Sequence, residues 1–388
     1  MAVRNITGNY LICGNEVFVE GKSIGQFQSF ESDETRENIV GTASIEMPFY
    51  TIAAKAAKEV GRGSTIAVQR VGKNTTTYVR INPDDWNIKT GARIQVYAWY
   101  HDNAVIGQKF EKRLEFDGFI RDVIGGFPTV IKCEDAAFML RFGTVTQSWP
   151  KATPLSSLLQ QMCDTANAAF AKYRKDNKLT YAYPSLLPDP KSMQSDFVLK
   201  PATGVSPYDV LERVIVGMYK LYGNVRIESD KARVYCGLGI SESESPTVEL
   251  DTSVNVIARD IVPSDMMFQN FRVIVRYLED GTMKTIEKGA ENGLVYDLPF
   301  TPGRNAQQMN TTALSVLAGL RAQRNKGTIT TLLYPLVQLY DYVNFNDTIF
   351  KSLSGGYYVI GRKVTCGKGK GYRQILTVTN KTFLYLAN

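Results

Sequence analysis

The sequence GGYYVIGRKVTCGKGKGYRQILTV, residues 355–378, decides how the end of this chain folds. Apolar and polar residues alternate on both sides of its central CGKGKG, as they do in half-buried β-strands. A P-loop would need Ser or Thr directly after its lysine and a helix behind it. No Ser or Thr follows Lys370, and the residues from Tyr372 onward have a strand pattern. We therefore predict a basic hairpin loop, with Lys368, Lys370 and Arg373 as candidate contact residues.

The same region holds the excess charge of the protein. The net charge is +7, and residues 348–388 contain seven basic residues and no acidic one. A basic zone can contact nucleic acid or an acidic protein surface, and a solvated charged face is the simpler alternative. No zinc-finger or RNP pattern accompanies it, so we expect no sequence-specific binding of nucleic acid.

The composition is that of a folded protein with more than one domain. The chain has 388 residues, 44% of them hydrophobic, and this length exceeds one ordinary core. Its 21 Tyr and 18 Phe favour β-structure. The N-terminus has no signal-peptide pattern, and no apolar run is long enough to span a bilayer. We expect a protein that stays in its cell of synthesis, or leaves by lysis or a dedicated machine.

The first third of the chain has strand patterns. Residues 113–124 and 129–133 flank the turn signal Gly-Gly-Phe-Pro and predict a hairpin. Residues 50–60 are rich in Ala and Lys and predict one short helix. Further strands are expected at residues 39–47, 65–71 and 92–100.

The middle third has helix signals. Thr-Pro at 153–154 and Ser-Pro at 206–207 each place a capping hydroxyl before a proline, which predicts two helix starts. Asp209 falls at the third position of the second helix, where a carboxylate favours the free amide groups. Residues 181–201 are rich in proline and predict an irregular loop, and residues 224–237 predict a hairpin.

The final third returns to strands and echoes the first. Residues 271–278 and 282–286 flank Asp-Gly and predict a hairpin, and residues 311–325 predict an amphipathic helix. Strands are expected at residues 328–333 and 339–345, before the closing hairpin. We predict a mainly β chain with an α+β middle, in which two β-barrel or sandwich-like domains flank a mixed helical domain. The predicted domains are residues 1–135, 136–250 and 251–388.

The residues needed for catalysis are scarce. His101 is the one histidine of the chain, which excludes a multi-histidine metal site, and no G-x-S-x-G supports a triad. A carboxylate-based hydrolase needs no histidine. Its candidate pairs are Glu115 with Asp117, which would share a strand face, and Asp84 with Asp85. Because paired acids are common on exposed sheets, we predict no catalytic residue and no cofactor.

Metal sites are not predicted either. The five cysteines are too widely spaced for a C-x-x-C ligand pair, and they are expected as free, mostly buried thiols of a reducing compartment. Residues 31–34, ESDE, are predicted to form a charged turn without calcium-ligand periodicity.

Four motifs, in one order over most of the chain, resemble the baseplate hub proteins of phage tails and related contractile injection systems. This family includes the T4 hub and the late-control D proteins. Tyr340 departs from the family pattern, since Gly is usual at that position. The motifs are F-D-G-F-I-R at 116–121 with P-T-V-I-K-C-E-D at 128–135, S-P-Y-D-V-L at 206–211 with Y-G at 222–223, P-L-V-Q-L-Y-D-Y-V at 335–343, and G-Y-Y-V-I-G-R-K-V at 356–364 with G-Y-R-Q-I at 371–375.

The resemblance implies a structural role. It implies two tube-like β-barrels per chain, a homotrimer that forms a pseudo-sixfold ring, and a junction between a sixfold tail tube and a threefold central spike. The implied partners are the tail tube or distal tail ring, the spike, the tape measure protein and, non-specifically, the passing DNA. The implied location is the virion tail, after synthesis in the host cytoplasm. A cell-wall hydrolase and a carbohydrate- or receptor-binding module are the alternative hypotheses.

Overall fold

The structure is a computed structural model that describes most of the chain. The described residues are 13–48, 50–52, 65–71, 74–80, 86–100, 111–126, 128–192, 194, 196–200, 204–218, 221–228, 230–237, 248–263, 270–279, 281–301, 306–322, 325–367 and 371–380. Strands dominate this part of the chain, so the prediction of a mainly β protein is confirmed.

The described residues of the first third contain ten strands. They are β1 Cys13–Val19, β2 Lys22–Gly25, β3 Ser29–Thr35, β4 Thr42–Met47, β5 Tyr50–Ile52, β6 Thr65–Val71, β7 Asn74–Arg80, β8 Arg93–Tyr100, β9 Arg113–Ile124 and β10 Thr129–Glu134. The predicted hairpin of β9 and β10 is confirmed. The helix predicted at residues 50–60 is wrong at its start, where β5 pairs with β7, and residues 53–60 lie outside the described residues.

The middle third combines helices with short strands. Its elements are a 3-10 helix Ala136–Arg141, β11 Trp149–Pro154, α1 Leu155–Asp176, β12 Ser185–Pro188, β13 Asp196–Leu199, α2 Pro207–Asp209, which continues as a π-helix Val210–Met218, β14 Tyr222–Glu228 and β15 Lys231–Gly237. The irregular loop predicted at residues 181–201 contains β12 and β13, which pair with distant strands β15 and β11. The hairpin of β14 and β15 is confirmed.

One of the two predicted helix caps is present. Ser206 and Asp209 form a capping box, in which Ser206 Oγ accepts from the Asp209 amide at 3.1 Å. Helix α1 has no side-chain cap: Pro154 is the capping position, and the Thr153 hydroxyl donates instead to the Lys151 carbonyl at 3.0 Å. The predicted cap at Thr153 is therefore wrong, because the preceding strand β11 runs directly into the helix.

Nine strands and one long helix lie in the part of the final third that the structure describes. They are β16 Val248–Asp251, β17 Val256–Pro263, β18 Phe271–Glu279, β19 Thr282–Gly289, β20 Leu294–Thr301, α3 Ala306–Ala322, β21 Asn325–Leu332, β22 Tyr342–Asn346, a short 3-10 helix Lys351–Leu353, β23 Gly355–Gly367 and β24 Arg373–Asn380. Helix α3 begins five residues before the predicted start. The β18–β19 and β23–β24 hairpins are confirmed.

A 13-stranded sheet joins the first and last thirds. Its order is β17-β21-β24-β23-β3-β4-β10-β9-β8-β1-β2, with β22 paired to β23 and β16 to β22. The order of the described strands is open at both ends, so the two barrels stay a prediction. Three smaller sheets of three strands and one of two complete the described architecture.

The β3–β23 pair is the seam between the two outer thirds. The strands run antiparallel from the Gly361–Thr35 pair to the Gly367–Ser29 pair. Residues 31–34 are therefore strand, and the prediction of a charged turn there is wrong. The local sequence has the polarity of a turn, but its acidic residues face basic residues of β23.

The hydrophobic core of the first third also crosses this seam. Val364 and Cys366 of β23 pack in the same buried cluster as Phe30 and Ile45. All four side chains are fully buried, and burial of a Val, Ile or Phe side chain stabilises by about 1.5–3 kcal/mol. The outer thirds thus share apolar packing as well as a strand ladder.

Candidate functional site

Two paired strands flank the glycine-rich stretch. Strands β23 and β24 pair on either side of it, and the Gly371 amide donates to the Gly367 carbonyl at 3.2 Å. A strand follows the loop, so the helix N-terminus that a phosphate site requires is absent from residues 371–380. Arg373 is exposed at the start of β24. Lys368 and Lys370 lie outside the described residues, and the contact role of the three residues stays a prediction.

Two of the seven basic residues near the C-terminus are ion-paired at the seam. The Arg362 side chain is 5% exposed and donates to Glu115 Oε2 at 2.7 Å. Lys363 Nζ lies 2.7 Å from Glu31 Oε1. The sequence count of unopposed basic residues therefore overstates the charge available to a partner, because acidic residues of the first third neutralise part of it.

A β-bulge at Glu115 interrupts the strand that carries the candidate hydrolase pair. Val96 is opposite Phe116 and Tyr97 is opposite Leu114, which leaves Glu115 as the extra residue. The bulge turns Glu115 into the protein, where its side chain is 0% exposed. The expectation that Glu115 and Asp117 share a strand face fails for this reason, since a bulge breaks the two-residue alternation.

Both carboxylates of that pair are already bound by arginine. Glu115 Oε1 lies 2.6 Å from Arg113 Nε, and its other oxygen accepts from Arg362. Asp117 forms a bidentate pair with Arg93 at 2.9 and 2.5 Å. Clamped carboxylates of this kind stabilise strand packing. His101, Asp84 and Asp85 lie outside the described residues.

A cavity of about 200 Å³ lies where the three thirds of the chain meet. Strands β3, β9, β14 and β23 contribute side chains to it, as does the segment before β22. It is lined by Glu34, Thr35, Asn38, Ile39, Gly41, Leu114, Glu115, Phe116, Asp117, Asp135, Asn224, Val225, Arg226, Ile227, Leu336, Gln338, Leu339 and Arg362.

Two acids in this cavity wall have raised pKa values. Burial raises the pKa of Glu34, although Arg362 and Arg226 act in the opposite direction. Burial also raises the pKa of Asp135 well above its usual range, against hydrogen bonds from the amides of Gly41 and Ala137. Those hydrogen bonds measure 2.7 and 2.9 Å. The cavity wall thus contains two carboxyl groups for which burial disfavours the charged form.

Gly41 lies in close contact with both acids. A Cβ atom there would lie 2.8 Å from Asp135 Oδ2 and 3.0 Å from Glu34 Cγ. The two acids therefore close around the backbone of Gly41, and any larger residue would push one of them away.

Tyr340 closes another side of the junction in an unusual conformation. Its φ is +74°, in the left-handed region that glycine occupies without penalty. The ring is 7% exposed, and the Arg226 guanidinium lies 5.0 Å from its centroid. Arg226 also donates to the Leu339 carbonyl at 2.5 Å. The departure from Gly seen in the sequence is thus accommodated by packing Tyr340 under an arginine of the middle third.

The remaining chemistry of the described residues is limited. None of the five cysteines forms a disulfide, and burial raises the pKa of Cys163 to about 12. Within the described ranges, no group of three or more His, Cys, Asp or Glu side chains could hold a metal ion. No helix in the described part of the chain is both long and apolar enough to cross a membrane.

Solved structures of phage tail proteins match this architecture over nearly their whole length. A tail protein from Neisseria meningitidis MC58 has a TM-score of 0.59 at 14% identity, covering 95% of this chain and 97% of that one. The chain has the fold of phage tail proteins. The 43 kDa tail protein of prophage MuSo2 from Shewanella oneidensis matches with a TM-score of 0.55 at 13% identity, covering 94% and 97%.

A third tail protein extends the similarity to another host. The prophage tail protein gp18 of Listeria monocytogenes EGD-e has a TM-score of 0.50 at 10% identity, covering 95% of each chain. The resemblance to phage tail proteins inferred from four short motifs is confirmed at the level of the fold. No protein-family model matches the sequence, and no curated protein sequence does.

Proposed function

We propose that the chain is a structural, non-enzymatic hub protein of a phage tail baseplate. Three copies form a pseudo-sixfold ring that joins the tail tube to the central spike and lines the channel for DNA. Each copy supplies two tube-like β-domains, at residues 1–135 and 251–388, around a middle domain at residues 136–250. The protein acts in the virion tail after synthesis in the host cytoplasm.

The observation that carries this proposal is the continuous sheet across β3 and β23. An adaptor between sixfold and threefold partners needs two β-units per chain in a fixed mutual orientation. A shared sheet with the buried Arg362–Glu115 pair beside it supplies such rigidity. The end-to-end similarity to three phage tail proteins supports the same role.

The non-enzymatic part of the proposal rests on the described carboxylates. Glu115 is held by two arginines and Asp117 by one, so neither is placed to act as acid, base or nucleophile. A cell-wall hydrolase working through this pair is disfavoured by that geometry.

The proposed partners are other tail components. Each copy would contact two others in the homotrimer. The ring would adjoin the tail tube or distal tail ring, the spike and the tape measure protein. Exposed Arg373, with Lys368 and Lys370 in the loop before it, would contact a neighbouring subunit or the passing DNA. Salt-dependent binding to DNA of any sequence is expected for such a basic loop.

Light scattering coupled to size exclusion tests the oligomer directly. The purified chain should elute with the mass of three copies, or, when mixed with its tail tube and spike proteins, as a complex whose mass includes three copies of the chain. Arg362→Met, which breaks the buried pair with Glu115 at the seam, should reduce entry into tail particles, whereas Lys351→Glu on the exposed 3-10 helix should not. A chain that stays monomeric in every mixture and never enters tail particles would refute the proposal.

A further inference from the structure

Three aromatic rings surround one ammonium group on the outer face of strands β1 and β8. Lys112 Nζ lies 4.6 Å from the centroid of Phe18, 4.7 Å from that of Tyr97 and 5.5 Å from that of Trp99. All three distances are within the range in which a cation is attracted by an aromatic face. We call Phe18, Tyr97 and Trp99 the aromatic cage. Phe18 and Tyr97 contact each other edge to face, with centroids 5.5 Å apart.

The strand register explains how the cage forms. Gly14 lies opposite Trp99, and Glu16 lies opposite Tyr97, so alternate residues of both strands point to this outer face. A Cβ atom at Gly14 would overlap the Trp99 indole. Gly14 therefore lets the indole lie against the strand backbone. The intervening residues, such as Val17, are buried in the core.

A carboxylate completes the cage. Glu16 Oε2 lies 2.5 Å from Lys112 Nζ, and the Ser23 hydroxyl donates to Glu16 Oε1 at 2.6 Å. Glu16 belongs to β1 and Ser23 to β2, so two strands fix the position of one negative charge beside three aromatic faces. Rings on several sides together with an oriented carboxylate form a site selective for a positive charge of low hydration.

Lys112 is the most exposed member of this arrangement. It lies outside any strand, directly before β9, and its side chain is 38% exposed. The cage residues, in contrast, are half-buried on paired strands. A ligand can therefore replace the Lys112 ammonium without any change in the sheet.

We propose that the aromatic cage is a binding site for a quaternary ammonium group, and that Lys112 occupies it as a displaceable internal competitor. A trimethylammonium group carries the same charge as lysine but is more weakly hydrated, so it loses less on transfer to a ring-lined site. Its methyl groups also fill the space between nitrogen and rings. The ligand class is a trimethylammonium compound of the choline type.

The experiment is a calorimetric titration with choline chloride. Sodium chloride serves as the ionic control, and 3,3-dimethyl-1-butanol serves as the neutral control of the same shape. The proteins are the wild type, Lys112→Ala, Lys112→Gln, and Lys112→Ala combined with Trp99→Leu. Near-ultraviolet circular dichroism verifies that each variant keeps its fold.

Removal of the competitor should strengthen binding. Both single Lys112 variants should bind choline about tenfold more tightly than the wild type, which matches one or two cation–π contacts released. Adding Trp99→Leu should weaken binding at least about threefold, and the neutral alcohol should not bind. Glu16→Gln should also weaken binding of choline, because the counter-charge is lost.

Three results would overturn the proposal. They are the absence of choline binding by a folded Lys112 variant, equal binding of choline and the neutral alcohol, and equal affinities of the wild type and the Lys112 variants. Choline binding is measured on the isolated chain, so its failure would leave the proposed tail function untouched.

Discussion

Replacing Arg362 by methionine would leave the Glu115 carboxylate buried with one arginine instead of two. Glu115 is 0% exposed and Arg362 5% exposed, so water cannot replace the lost partner. Removing one member of a buried ion pair destabilises by about 3–5 kcal/mol. Because Arg113 still contacts Glu115, we expect the lower end, about 3 kcal/mol.

The neighbouring lysine provides a matched control. Lys363 lies on the same strand and also pairs across the seam, with Glu31, but these side chains are 39% and 35% exposed. Exposed pairs contribute about 0–1 kcal/mol, so Lys363→Met should lower the free energy of unfolding by less than about 1 kcal/mol. The double variant Glu115→Leu with Arg362→Met should recover part of the lost stability, because no carboxylate charge stays buried at this position. Arg113 loses its partner in this variant, but its side chain is 18% exposed and can be reached by water.

Urea denaturation followed by far-ultraviolet circular dichroism measures these differences, using the transition that reports the large sheet. The expected order of stability is wild type, then Lys363→Met, then Arg362→Met. An equal loss of unfolding free energy in Arg362→Met and Lys363→Met would refute the claim that the buried Arg362–Glu115 pair stabilises the seam. So would a double variant less stable than Arg362→Met.

Three further predictions concern the junction and the helix caps. Glu34→Gln should raise the free energy of unfolding at neutral pH, because burial holds the pKa of Glu34 above its usual 4.5. The wild type therefore gains stability as pH falls toward 4.5, and the variant lacks this gain when denaturation is measured at several pH values. Ser206→Ala removes the capping box and should lower the free energy of unfolding by about 1 kcal/mol. Thr153→Ala should lower it by less than about 0.5 kcal/mol, and urea titration of both variants measures the difference. Tyr340→Gly should relieve about 1 kcal/mol of backbone strain but remove the buried ring under Arg226. The lost burial is the larger effect, so the protein should be destabilised by about 1–3 kcal/mol, and a more stable variant would contradict this.

Local signals were sufficient for the hairpins. Asp-Gly before Thr282 and Gly-Gly before Thr129 place turns between strands that pair in the structure. The Ser206–Asp209 capping box was also readable from spacing alone. Each of these features depends on residues close together in the chain, where turn and cap chemistry acts directly.

Long-range pairing was hidden from the sequence. Residues 31–34 look like a charged turn until β23 supplies Arg362 and Lys363 opposite them. Likewise, β12 and β13 are strands because they pair with the distant strands β15 and β11. The one signal for the seam in the sequence was the opposite charge of residues 31–34 and residues 362–363. That signal can be recognised only when the two segments are known to be adjacent.

The candidate site was partly visible in the sequence. Glu115 was singled out for its carboxylate, but the bulge that buries it follows from the register of β8 and β9, which no local pattern reveals. The cavity at the junction combines residues from all three thirds, so it could not be assembled from motifs. Tyr340 was noticed as a departure from a family pattern, and its positive φ shows that the position keeps a glycine-like backbone.

An electron cryo-microscopy reconstruction of the tail tip tests the central claim most directly. The proposal predicts three copies of this chain around the tail axis, with their residues 1–135 and 251–388 alternating in a ring of pseudo-sixfold symmetry between tube and spike. Copies located away from the axis, or a ring in which each chain contributes a single β-domain, would contradict it.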